Sequence, residues 1–205
     1  MLFSVLFVCV GVAWKLLNLT VNDCFQVDMS SLFFAVAGIM PMEVILVNDI
    51  SGMVKGSALR KNIQTTIATK CMFVGSMASY LLYLAFLMIL GGIKQGQPTT
   101  YLREMLLFGI IVAFMGFANV FLYKFFWAAF VAIYIIAFCG GFVAGFLEES
   151  IGIPNLGGQL PILVCVLAGL VLIVLGCVLN LVLCRIFYKR DFSKSAFGAS
   201  MRKMV

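Results

Sequence analysis

Long apolar runs separated by short polar stretches organise this chain from end to end. The first run is Met1 to Leu17, followed by the polar stretch Asn18 to Ser31, and the second covers Leu32 to about Val47. A polar, basic segment, Asn48 to Lys61, leads to a third run from near Thr66 to Leu90. After the turn-rich stretch Gly91 to Glu104, a fourth run spans about Met105 to Leu122. Tyr123 and Lys124 then make a short connection to the fifth, Phe125 to Phe146. The connection Leu147 to Leu160 precedes the sixth run, Pro161 to about Phe187, and a basic tail closes the chain. Runs of this length predict helices, since a segment in lipid must satisfy its own backbone hydrogen bonds. The short alternating segments of a membrane barrel are absent.

Composition sharpens the class. Of 205 residues, 64% are hydrophobic and 11% charged, and the mean hydropathy is +1.16. A soluble domain is nearer half apolar and about a quarter charged, so a dissolved cytosolic enzyme is excluded. At about 20 apolar residues per crossing, the length accommodates about six spans. There is no histidine, which removes histidine-ligated zinc, Ser-His-Asp catalysis and imidazole proton relays. The seven cysteines form no CxxC pair, and six of them fall in apolar runs as small hydrophobes. The expected fold is an all-α integral membrane protein with a single six-span domain over residues 1–190 and a short basic cytoplasmic tail over 191–205. The first run lacks the basic residues that open a secretory signal and is read as a retained helix.

The net charge of +6 comes from few residues at particular places, which argues against nucleic acid as a partner. With both termini cytoplasmic, eleven lysines and arginines fall inside and three (Lys15, Lys94 and Arg103) outside. That asymmetry sets the orientation. Asp23, Asp28, Glu104, Glu148 and Glu149 fall outside.

Glu43 lies about 9 Å inside the cytoplasmic end of the second span, where an ionisable group is a functional candidate by default. At so shallow a depth, snorkelling or pairing with Lys61 or Lys70 explains it better. Small residues four apart, at Gly75 and Ser79 and at Gly141 and Gly145, predict close helix packing within the chain rather than a dimer seam. Trp127, Tyr123 and Tyr188 suit a membrane boundary. Glu148-Glu149 reads as a solvated loop.

The most informative segment joins spans two and three. Ser51 or Asp49 can cap a short helix there, and Ala58 to Lys61 suits helix. A short basic element on the cytoplasmic face serves equally as a lipid-headgroup contact or as a docking element for a cytoplasmic protein. Here the chain resembles the six-span permease subunits of bacterial ATP-binding-cassette (ABC) exporters of the ABC-2 type. The resemblance is carried by Asp49-Ile50-Ser51-Gly52-Met53, by Arg60-Lys61, by Ile67-Ala68-Thr69-Lys70 and by Phe187-Tyr188-Lys189-Arg190-Asp191-Phe192. The order of spans fits over nearly the whole chain, with Met53 where the family has an aromatic.

What the resemblance implies is a permease subunit in the plasma membrane, moving amphipathic or hydrophobic peptides or lipid-like compounds outward. A short cytoplasmic coupling helix then lies between spans two and three, with Asp49, Ser51, Gly52, Lys55, Arg60 and Lys61 as the ATPase-coupling residues. No G-x-x-x-x-G-K-[ST] phosphate loop is present, so this chain is not expected to be the enzyme. It is expected to carry no cofactor of its own, with ATP and magnesium on separate ABC ATPase subunits. A second permease chain, identical or a sister, completes the expected assembly. The alternatives are an ATP-independent channel or secondary carrier, and a non-transporting membrane assembly or immunity protein.

The topology is tested by single cysteines in a Cys-less background. Those at Ser57 and Ser195 should resist impermeant thiol reagents in intact cells and one at Gln97 should label. Labelling of position 57 from outside overturns the six-span arrangement.

Overall fold

The apolar runs fold as helices whose ends lie a few residues beyond where hydrophobicity alone puts them. The structure, a computed structural model, describes residues 2–21, 30–48, 59–93, 98–125, 162–187 and 189. These form α1 (Leu2–Val21), α2 (Ser30–Asn48), α3 (Ala68–Ile93), α4 (Pro98–Lys124) and α5 (Ile162–Phe187), with no strand among the described residues. Helix α3 has a lead-in, a helical turn at Arg60–Asn62 and a π-helical turn at Ile63–Ile67. Two stretches, Arg60–Gly91 and Leu163–Phe187, are long and apolar enough to cross a membrane, and Phe3–Asn18, Ser30–Met42 and Glu104–Ala118 are shorter apolar helices. The expected fifth run lies outside the described residues.

Local chemistry accounts for the boundaries. Helix α4 opens on Pro98, where a missing N–H costs nothing and the fixed φ suits a first turn. Helix α2 continues through Pro41, which removes one internal hydrogen bond. At the end of α1, Thr20 Oγ1 donates to the Leu17 carbonyl at 2.9 Å.

The packing reads out the direction of each helix. Ser30 meets Tyr83 while Gly38 meets Ser76, so α2 and α3 are antiparallel. Tyr80 stacks edge-on to Phe108 at 5.3 Å, and Met72 reaches Gly116, so α3 and α4 are antiparallel too. Helices α4 and α5 instead run parallel. Gly109 lies against Gly169, Gly116 against Gly176 and Phe121 against Phe187.

Two glycine seams allow these approaches. A Cβ at Gly109 would sit 2.6 Å from the Gly169 carbonyl oxygen, and one at Gly176 would sit 2.7 Å from Ala113 Cα. Between α2 and α3, a Cβ at Gly75 would collide with the Gly38 carbonyl, and Ser79 Oγ donates to the Phe34 carbonyl. Small residues let backbones touch, and dispersion over the whole seam then holds the helices together. The expected role of Gly75 and Ser79 in packing within the chain is what the structure contains, while Gly141 and Gly145 lie outside the described residues.

Large apolar side chains face outward as well as into the core. Leu163, Phe3 and Val74 are 69%, 68% and 65% exposed, and each described helix presents such side chains outward. Lys15, Glu104, Asn180, Ser30 and Ser31 are buried. Cys165, Cys177 and Cys184 are buried as small hydrophobes, and the described cysteines are free thiols.

Gly109→Val forces its methyls into the α5 backbone. Overpacking of this kind costs about 1–3 kcal/mol, so thermal unfolding in mild detergent should fall by several degrees, whereas Ala85→Val, on an exposed face, should leave the midpoint in place.

Candidate functional site

Of the expected coupling residues, Arg60 and Lys61 are described, while Asp49, Ser51, Gly52 and Lys55 lie outside the described residues. Arg60 and Lys61 form the first turn of the lead-in to α3, Arg60 half-buried and Lys61 exposed. The Ile63 amide donates to the Leu59 carbonyl at 2.9 Å, and Thr65 Oγ1 donates to the Lys61 carbonyl at 2.7 Å. A helix start disfavours cations, so the stability of this helix does not account for two of them at its opening. Glu43 lies within α2, and its side chain and any pairing with Lys61 or Lys70 fall outside the described residues.

The strongest electrostatic feature is elsewhere. Lys15 of α1 and Glu104 of α4, 89 residues apart, form a buried salt bridge through Nζ and Oε1. Their side chains are each only 2% exposed. Tyr83 of α3 donates its hydroxyl to Glu104 Oε2. Ser30, the first residue of α2, lies 2.7 Å from the Tyr83 hydroxyl and 3.5 Å from Glu104 Oε2. A carboxylate only accepts, and with Tyr83 donating to it, Ser30 completes the relay Ser30–Tyr83–Glu104. Four helices thus converge on one carboxylate. Below it, Phe34 packs on Tyr83 at 4.6 Å and Phe108 on Tyr83 at 6.1 Å.

The sequence assigns Lys15 and Glu104 to the outer side as separate charges, and the structure joins them as a pair inside the bundle. Helix α1 runs on to Val21 and α4 starts at Pro98, so each residue lies about 9 Å inside its helix end.

A second buried polar group lies toward the other end of the bundle. Asn180 of α5, fully buried, donates through Nδ2 to Thr69 Oγ1 of α3 at 3.1 Å and lies 3.6 Å from Met42 Sδ of α2. The Cys184 thiol donates to Asn180 Oδ1 at 3.8 Å. Between the two groups, Tyr80 Oη donates to the Val166 carbonyl at 2.7 Å. A side chain at Gly169 would meet that hydroxyl, since a Cβ there would lie 2.7 Å from it.

Chemically, the Lys15–Glu104 group holds charge and orders helices. Among the described residues no cluster of acidic or thiol side chains is grouped to hold a metal ion. Compared with known protein families, curated proteins and solved structures, the chain matches none.

Replacing Glu104 with Gln keeps the shape but deprives Lys15 of its counter-charge. Breaking one side of a buried pair costs about 3–5 kcal/mol, so detergent unfolding should show a large loss of stability. The double variant Lys15→Met/Glu104→Leu should recover most of it, and equal loss in both would show that shape, not charge, matters there.

Proposed function

We propose that this chain is a multi-pass membrane protein acting as the permease subunit of an exporter powered by a separate ABC ATPase. The observation that carries the membrane part is the apolar outer surface, with Leu163, Phe3 and Val74 outward while Lys15, Glu104 and Asn180 are buried. A surface so apolar is unstable in water and at home in lipid. The parallel contact of α4 with α5 supports the six-span expectation, in which one further span separates them in sequence.

The coupling part of the proposal rests on continuity between Arg60, Lys61 and the helix behind them. From Arg60 to Gly91 the helix is unbroken over 32 residues, about 48 Å at 1.5 Å per residue. It has basic side chains at one end and Tyr83, bonded to Glu104, toward the other. A cytoplasmic partner that displaces Arg60 and Lys61 moves one end of an element whose other end sits at the buried charge pair. Such coupling needs contacts that differ between two states, and the π turn at Ile63–Ile67 is a natural place for the helix to flex. Asp49, Ser51, Gly52 and Lys55 belong to the same proposed docking segment, and a second permease chain completes the proposed assembly.

A second reading, an ATP-independent carrier, is favoured by the Lys15–Glu104 pair, because ionisable groups inside a bundle often mark transport pathways. One experiment separates them. Charge reversal of Arg60 and Lys61 to glutamate should leave membrane insertion intact while abolishing retention of a co-expressed ATPase and cargo-stimulated hydrolysis. Removing one partner of a buried charged pair at an interface costs about 2–5 kcal/mol. Replacement of Glu148 and Glu149 should leave both activities intact. Transport by the purified chain without any ATPase would establish the carrier instead.

A further inference from the structure

On the outer face of the bundle, α3 and α5 leave a groove of about 370 Å³ between them. Its wall is almost wholly apolar, with the charged lining residue, Lys70, toward one end. Thr66, Thr69 and Lys70 sit at one end, and Phe73, Val74 and Val174 line the other. Val174, Val178 and Leu181 form the α5 edge, and at i, i+4 and i+7 they make a single helical stripe. Arg185, exposed, continues that stripe one turn beyond Leu181 on the same side as Lys70. Lys70 and Arg185 therefore stand toward the same end of this apolar groove, and neither has an ion-pair partner among the described residues. Thr69 accepts a hydrogen bond from Asn180 Nδ2 behind it.

We propose that this groove holds an anionic glycerophospholipid, its phosphate between Lys70 and Arg185 and one acyl chain along Phe73, Val174 and Val178. The inference rests on the membrane-embedded reading but not on the ATPase. Length allows the upper part of one acyl chain. From Lys70 to Val74 the groove follows four residues of helix, about 6 Å, beyond the end that would take the phosphate. Charge fits as well, because basic pockets between spans on the cytoplasmic side favour anionic headgroups, and that is the side to which the basic asymmetry assigns Lys70 and Arg185. A second copy of the chain fits worse. A two-fold interface sets the same patch against itself and would bring these cations toward their own counterparts.

The test compares phosphatidylglycerol with phosphatidylcholine, each added to the full chain in mild detergent, following the unfolding midpoint and the bound lipid by native mass spectrometry. Phosphatidylglycerol should raise the midpoint and remain bound, with phosphatidylcholine giving little of either. Lys70→Gln/Arg185→Gln should weaken apparent affinity roughly 30-fold, from about 1 kcal/mol for each cation near a membrane surface. Val178→Trp, which fills the groove without touching its charges, should also abolish retention. Both variants alter exposed positions and should keep the lipid-free midpoint of the unaltered chain. Equal stabilisation by the two lipids overturns the proposal, as does full stabilisation by sn-glycerol 3-phosphate alone. Disulfide cross-linking between two copies through Val178→Cys would show a protein interface and overturn it too. Alkaline carbonate extraction tests the membrane reading by itself. A chain that washes off ends both ideas, whereas one that stays but shows no lipid preference ends the groove alone.

Discussion

The carboxylate of Glu104 is the point on which the helices agree. It takes Lys15 from α1 and Tyr83 from α3, and Ser30 of α2 completes the contact through Tyr83. Inside a bundle, a charge without partners costs several kcal/mol, so only arrangements that bring these four side chains together are low in energy. Apolar packing alone tolerates helices sliding by a turn, because one leucine replaces another at small cost. Charge does not tolerate it. A one-turn slip of α1 or α3 moves Lys15 or Tyr83 by about 5.4 Å, beyond any hydrogen bond. The pair thus sets the register that Phe34, Tyr83 and Phe108 then fill with aromatic contact.

Helix α5 is held differently. Its seam with α4 is made of glycine against glycine at Gly109–Gly169 and Gly116–Gly176. The two pairs are seven residues apart on each helix, the spacing at which the same face returns after two turns. Where α5 faces α3, polar bonds join them at Val166 with Tyr80 and at Asn180 with Thr69. These two hydrogen bonds act at separated heights and so resist rotation of α5, while the seam resists separation.

Much of this was legible along the chain. The apolar runs marked the described helices to within several residues at each end, and Gly75 with Ser79 marked a real seam. What stayed hidden was long-range. A run of leucines states that a helix forms but not which neighbour it meets, so the parallel contact of α4 with α5 has no one-dimensional trace. The Lys15–Glu104 pairing was hidden for a related reason, because two charges 89 residues apart, near the ends of separate apolar runs, carry no sign that their helices meet. Asn180 passes unremarked in the middle of an apolar run, and its partner, Thr69, is one that sequence spacing does not reveal.

These pieces meet on α3. Its lead-in carries Arg60 and Lys61, its first turns carry Thr69 and Lys70 beside the α5 groove, and its later turns carry Tyr80 and Tyr83 to the buried charge. A push at Arg60 and Lys61 would reach the rest of α3 through the π turn at Ile63–Ile67, and interfaces with discrete packing respond to displacement by changing state rather than by stretching. For α3, a small axial shift loosens Tyr83 from Glu104 at the same moment that it moves Thr69 past Asn180. In the proposed exporter this makes α3 the described element on which a cytoplasmic push, a bound lipid and the central charge pair would all act. A lipid seated at Lys70 would then favour whichever position of α3 keeps its groove open, and so bias the same equilibrium that the proposed ATPase would drive.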